Sequence, residues 1–325
     1  MIKKILLGLL GVIVLVIVGF VLFINLTWRV DYSNEYPINA ELNVVADSAM
    51  IARGKYLAYG PAHCAHCHAP FEKLADVERG IEVPMTGGFG LDIPPGQFWA
   101  PNITTDTETG IGRFTDGELY RMLRYNVRPN GLPAFGFMPF VNMSEEDLFA
   151  IIAYLRSTEP VKSEVLNPEY TIIGKTLLKA GVVKPGTPKE PVLETISKAP
   201  TAEYGDYMAN AVANCKGCHT EIDIMTGQYT GEPFAGGFVF DDNMTAGWVF
   251  TTPNLTNHET GIMKDWSEDM FITRMKGGRV YESSPMPWAS YASMDTVELT
   301  AIYRYLKSLN PVENIVESPA IPPSK

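Results

Sequence analysis

Four cysteines and five histidines are all that 325 residues hold of the side chains that most readily bind metals or form covalent links. So little cysteine excludes a disulfide-stapled scaffold of the kind small exported domains use. Clustered basic charge is missing too: 26 Lys and Arg stand against 37 Asp and Glu, the net charge is −11, and no Lys/Arg-rich run interrupts the acidic balance. That argues against a nucleic-acid partner, whose phosphates are held mainly by clustered cations. With 46% hydrophobic and 19% charged residues the composition is neither disordered nor fibrous. The length predicts more than one core and about two domains.

The first residues are a different material. Lys3 and Lys4 precede an uncharged run, Ile5 to Ile24, long enough at about 1.5 Å per residue to cross a hydrocarbon layer of about 30 Å. A cleavable signal would have a shorter apolar centre and a small-residue cleavage site. This run instead ends in Asn25, Leu26, Thr27, Trp28 and Arg29. Residues 1–29 therefore read as an uncleaved transmembrane anchor with the lysine pair on the cytoplasmic side and Trp28 at the opposite interface, so that all that follows is exported.

Export favours disulfides, yet the four cysteines fall into two Cys-x-x-Cys pairs, each followed at once by histidine: Cys64-Ala65-His66-Cys67-His68 and Cys215-Lys216-Gly217-Cys218-His219. Cys-x-x-Cys-His is the attachment signature of c-type haem. The two thiols form thioether links to the porphyrin and the adjacent imidazole becomes an iron ligand. A single zinc site built from both pairs would have to join segments about 150 residues apart and would leave two histidines redundant. A thioredoxin-like redox motif needs a βαβ context that neither pair has. Two covalently bound haem c groups are expected.

The second axial ligand is chosen by what remains. His63 and His66 lie beside or inside the first attachment loop, and the counterpart of His258 in the first half is Asp106-Thr107, so His258 reads as a solvated loop residue and His63 and His66 as surface residues. Methionine, a soft thioether, is then the usual partner. An internal repeat narrows fourteen methionines to two pairs. Gly54 and Tyr56 match Gly205 and Tyr207, Gly87-Gly88 resembles Gly236-Gly237, Pro101-Asn102-Ile103-Thr104 matches Pro253-Asn254-Leu255-Thr256, and Tyr154-Leu155 matches Tyr305-Leu306. The offset is about 151 residues, which reads as a duplicated domain. Met143 and Met294 stand just outside predicted helix N-caps, Ser144 and Asp295, and read as hydrophobic staples. Met138 and Met286, each followed by proline in an irregular Gly/Pro-rich loop, are the expected iron ligands.

Coarse periodicity predicts about three helices per half. Met50–Tyr59 and Glu203–Ala213 lead into the attachment motifs, further helices begin at Thr115 and Ser267, and the last ones, Ser144–Ser157 and Asp295–Leu309, end before Pro160 and Pro311. The expected order is an anchor (1–29), a spacer (30–46), a first haem domain (47–160), a Pro- and Lys-rich linker (161–200) with a short amphipathic helix at 170–180, a second haem domain (201–313) and a tail (314–325).

These residues resemble the cytochrome c subunits of membrane-bound bacterial alcohol, gluconate and sugar dehydrogenases and the related mono- and dihaem cytochromes c. The likeness covers most of the chain after Ala46 and rests on both attachment motifs, the Pro-Asn-Ile-Thr…Glu-Thr-Gly-Ile-Gly stretch at 101–112, and Met286-Pro287-Trp288-Ala289-Ser290-Tyr291. It implies a mainly α fold of two tandem cytochrome c-like domains behind one transmembrane helix. It also implies His/Met ligation of each iron, by His68 with Met138 and by His219 with Met286. Those subunits typically carry three haem domains and a C-terminal tether, whereas here two attachment motifs follow a tether in front. The implied role is electron transfer at a bacterial inner membrane, with the haem domains on the periplasmic side, from a donor such as a dehydrogenase subunit to an acceptor such as a cytochrome or terminal oxidase. An enzyme reading, dihaem peroxidase-like or sulfur-oxidising, would need one iron left open. A haem-based sensor would need a cytoplasmic output module.

Overall fold

The computed structural model describes residues 1–241, 245–281 and 283–323, and they form a mainly α protein. Helix α1 (Ile2–Thr27) is a 26-residue rod, long and apolar enough to cross a membrane. Its one buried residue is Ile24. Near its end the polar side chains turn back into the helix, Asn25 Nδ2 and Thr27 Oγ1 each donating at 2.8 Å to the carbonyls of Val21 and Phe23.

The next elements run α2 (Ser48–Tyr59), α3 (Cys64–His68), α4 (Leu74–Glu78), β1 (Gly90–Ile93), β2 (Gly96–Trp99), α5 (Asp116–Tyr125) and α6 (Glu145–Arg156). After them come β3 (Glu169–Tyr170) and α7 (Ile172–Lys179). The second half repeats the order with α8 (Ala202–Tyr207) continued by one π-helical turn (Met208–Val212), α9 (Cys215–Cys218), β4 (Ile222–Asp223), β5 (Gln228–Tyr229), β6 (Val239–Phe240), β7 (Val249–Thr251), α10 (Glu268–Lys276), α11 (Trp288–Ala292), α12 (Thr296–Ser308) and β8 (Ala320–Ile321).

Caps explain most helix starts. Helix α2 begins two residues before the expected Met50 because the Asp47 carboxylate accepts from the Met50 amide at 2.8 Å. Thr115 and Asp295 form full capping boxes with Glu118 and Glu298, while Ser144 caps α6 through the Asp147 amide. The expected helix over 203–213 is present, its last turn wound as a π helix. The small sheets were not foreseen, because strands of two to four residues are too short to show an alternating pattern. They pair β1-β2-β3, β4-β5 and β6-β7-β8, all antiparallel. Two strands come from segments that read as connections: β3 from residues 161–200 and β8 from residues 314–325.

Two crossings organise the packing. Helix α2 lies on α6 and α8 lies on α12, in both cases through a glycine. A Cβ on Gly54 would sit 1.8 Å from the Ala150 carbonyl oxygen, and one on Gly205 would sit 1.9 Å from that of Ala301. Both pairs keep the offset of 151. Around them one continuous apolar core runs from Leu57 and Ile151 to Leu299 and Leu306. The halves also meet through polar groups. The Tyr56 hydroxyl bonds Glu298, the Tyr207 hydroxyl donates to Asp147 at 2.6 Å, and Arg53 reaches both Asp147 (2.8 Å) and Glu298 (3.7 Å).

Alanine in place of a mid-helix glycine ordinarily stabilises by about 0.5–1 kcal/mol. Here Gly205→Ala drives a methyl into a backbone carbonyl, and overpacking of that kind costs about 1–3 kcal/mol or more. The expected outcome is a net loss of stability in chemical denaturation; a gain would show that α8 and α12 separate without cost.

Candidate functional site

Each attachment motif is a single helical turn entered through a residue in left-handed conformation. His63 (φ 41°) precedes α3 and Asn214 (φ 51°) precedes α9. The turn brings both thiols and the following imidazole onto one short element. Cys64 is buried, Cys215 and Cys218 are half-buried, Cys67 is exposed, and none is in a disulfide. Burial pushes the other three thiols up, Cys64 and Cys215 to about 12 and Cys218 to about 11. They are neutral thiols near pH 7, unlike the low-pKa cysteines of redox motifs.

The imidazoles of His68 and His219 are buried and oriented alike. His68 Nδ1 lies 2.8 Å from the Pro101 carbonyl and His219 Nδ1 lies 3.0 Å from the Pro253 carbonyl. A carbonyl only accepts, so Nδ1 carries the proton and Nε2 keeps its lone pair for a metal. Burial holds both imidazoles below the usual histidine range, opposed by those backbone bonds. The donor set therefore fits covalently attached haem: two unpaired thiols, and an imidazole locked in the ligating tautomer.

The Pro-Asn-(Ile/Leu)-Thr repeat supplies the lock, a role its repetition signalled without defining. Asn102 Nδ2 donates to the Val161 carbonyl at 2.8 Å while its Oδ1 accepts from the Thr104 amide and hydroxyl at 2.9 and 2.8 Å. Asn254 makes the same bonds to Val312 and Thr256 at the same distances. The proline carbonyl is thus pinned to the chain leaving the last helix of its half. The paired glycines complete the cradle. The Gly87 amide donates to the His68 carbonyl at 2.7 Å and that of Gly236 to the His219 carbonyl at 2.8 Å. Both have positive φ, and a Cβ there would lie within 2.6 Å of a backbone carbonyl oxygen.

Met138 and Met286 lie half-buried against the core, in segments without regular structure. Met143 and Met294 are wholly enclosed in the core. His258 sits in a turn where its Nδ1 caps the Thr260 amide at 3.2 Å. His63 and His66 are half-buried at the contact between the halves rather than free on the surface. The His63 ring meets Tyr291 edge-on at 5.8 Å, and burial lowers its pKa to about 4. His66 Nε2 lies 2.8 Å from Glu78, which pairs at 2.6 Å with Arg279 of the second half. Arg279 in turn donates to the carbonyls of Ser284 and Met286. The first attachment loop is thereby wired to the loop that carries Met286. The two motifs are also linked through one side chain, since Tyr291, against the His63 ring, donates its hydroxyl to the Ala213 carbonyl at 2.6 Å just ahead of the second motif.

No protein-family model matches the chain. It is similar to the cytochrome c subunit of the quinone alcohol dehydrogenase of Gluconobacter oxydans, 29% identical over 303 residues that cover 86% of this chain and 57% of that protein. It is 28% identical over 286 residues to the gluconate 2-dehydrogenase cytochrome c subunit of Pantoea cypripedii, covering 81% and 60%. A diheme c-type cytochrome of Cereibacter sphaeroides is 26% identical over 162 residues, 48% of this chain and 53% of that one. The chain spans little more than half the length of the subunits it resembles.

Asn254→Ala removes the bonds to Val312 and Thr256 and leaves the buried Thr256 amide unpaired, a loss of about 1–3 kcal/mol. Thermal denaturation should show it. A variant within about 0.5 kcal/mol of the parent would mean that the asparagine is not the latch.

Proposed function

We propose that this chain is a membrane-anchored dihaem c-type cytochrome that passes electrons between redox partners. The observation that carries the reading is the pair of matching sites, each with two unpaired thiols beside a buried imidazole whose Nδ1 faces a proline carbonyl. Cys64 with Cys67 and Cys215 with Cys218 would hold the two porphyrins. His68 and His219 would bind iron through Nε2, with Met138 and Met286 as the second ligands. When bound, haem supplies one-electron exchange between ferric and ferrous iron with no substrate bond made at the metal. The chain's own part is to keep the imidazoles in one tautomer, exclude water with core side chains, and hold two domains, 47–160 and 201–313, side by side.

Relatives named as cytochrome c subunits of alcohol, gluconate and fructose dehydrogenases support a dehydrogenase as electron donor, and the acceptor would be a cytochrome or terminal oxidase. Helix α1 would be the anchor and both haem domains would lie on the periplasmic side of a bacterial inner membrane. The acidic net charge of −11 would steer basic partner surfaces, an effect that weakens with salt. The proximity of the two attachment motifs supports electron passage between the haems within one chain.

The test is the visible spectrum of the reduced protein with and without carbon monoxide, normalised to covalent haem. Two haems per chain and no change with the gas are expected if Met138 and Met286 close both irons. Binding of the gas at one haem would open that iron and turn the reading toward a peroxidase-like or sulfur-oxidising enzyme.

A further inference from the structure

Residues 171–189 hold four lysines and no acidic residue in a chain of net charge −11. They begin with α7, whose position is fixed twice over. On one side Thr171 binds the carbonyls of Pro94 and Pro95, and a Cβ on Gly174 would lie 2.0 Å from the Pro95 carbonyl oxygen, so Gly174 and Leu178 face the protein. On the other, α7 touches the end of α1. Lys175 Nζ donates to Asn25 Oδ1 at 2.6 Å and stands 5.9 Å from the Trp28 ring, and the Tyr170 ring lies 5.0 Å from that of Trp28.

Asn25 and Trp28 are the first polar and interfacial residues after the apolar run of α1. If that run spans a bilayer, whatever touches them stands at headgroup depth. The outward side of α7 suits that depth. Ile173, Lys179 and Ala180 are exposed there, and Lys184 and Lys189 are exposed just beyond. A helix with an apolar residue and lysines on its free side lies in an interface, with the lysines meeting phosphates.

We propose that α7 and the lysines following it form a second, peripheral membrane contact that binds anionic phospholipid headgroups. The proposal rests on the reading of α1 as the membrane anchor. The contact would hold the first haem domain at a set height, because Tyr170 also packs on Phe98 and Phe135, at 5.6 and 6.0 Å, and Phe98 on Phe137, next to Met138. Each lysine near an anionic surface strengthens association roughly fivefold, and salt weakens it.

The experiment is hydrogen exchange of the full-length holoprotein in nanodiscs of phosphatidylcholine alone and of phosphatidylcholine with phosphatidylglycerol. Exchange across 171–189 should slow in the anionic discs by roughly fivefold or more. The slowing should vanish in the Lys179→Gln/Lys184→Gln/Lys189→Gln variant while exchange in α12 stays unchanged. Co-elution with the discs and equal exchange in both lipids would overturn the proposal and leave the anchor reading standing. A chain that elutes apart from the discs would overturn both.

Discussion

Everything in this molecule hangs on two places where helices cross with no side chain between them. The approach of Gly54 to Ala150 and of Gly205 to Ala301 lets α2 reach α6 and α8 reach α12 at backbone contact. The first helix of each pair delivers the cysteines and the last delivers the strand of chain on which Asn102 or Asn254 closes. Were the helices a methyl group further apart, the loops between them would no longer meet. The Pro101 and Pro253 carbonyls would then lose their station beside the histidines. The cradle is thus not a local property of Cys-x-x-Cys-His; the motif supplies the atoms and the crossing supplies their orientation.

The halves are alike but not equivalent, and the difference lies in the charges between them. At the offset of 151, Tyr56 answers to Tyr207 and Asp147 to Glu298, so each half offers a tyrosine to the other's buried carboxylate. Arg53 answers to Tyr204, so one guanidinium serves two carboxylates. Lys198, from the segment between the halves, adds a cation 3.1 Å from Glu298. Buried carboxylates are tolerated only when paired; Asp147 finds its cation, Arg53, in its own half, whereas Glu298 draws both of its cations, Arg53 and Lys198, from outside its half. The apolar core runs on through the same junction, and the halves therefore fold against each other as partners.

Much of the site was legible because chemistry imposes it on sequence. A thiol pair with its adjacent histidine, N-cap residues and a helix-ending proline each demand a residue type at a fixed spacing. Other features left only an unexplained trace. Pro101-Asn102 and Pro253-Asn254 stood out as a repeat, yet that a carbonyl rather than a side chain does the work is invisible when every residue has a carbonyl. His63 and His66 gave no sign of their contacts across the halves, because what they meet, Tyr291 and the Glu78–Arg279 pair, lies more than 200 residues on or has a partner there.

By itself the sequence determined the two Cys-x-x-Cys-His motifs, the apolar leading helix and the mainly α character, since each follows from composition or spacing within a few turns of chain. The tertiary structure alone decided which half meets which. It placed the first attachment loop against the loop of Met286, the two Cys-x-x-Cys motifs near each other, and α7 against the end of α1. Such contacts join residues about 140 to 230 apart, and their cause is complementary shape and charge between surfaces that no local pattern records.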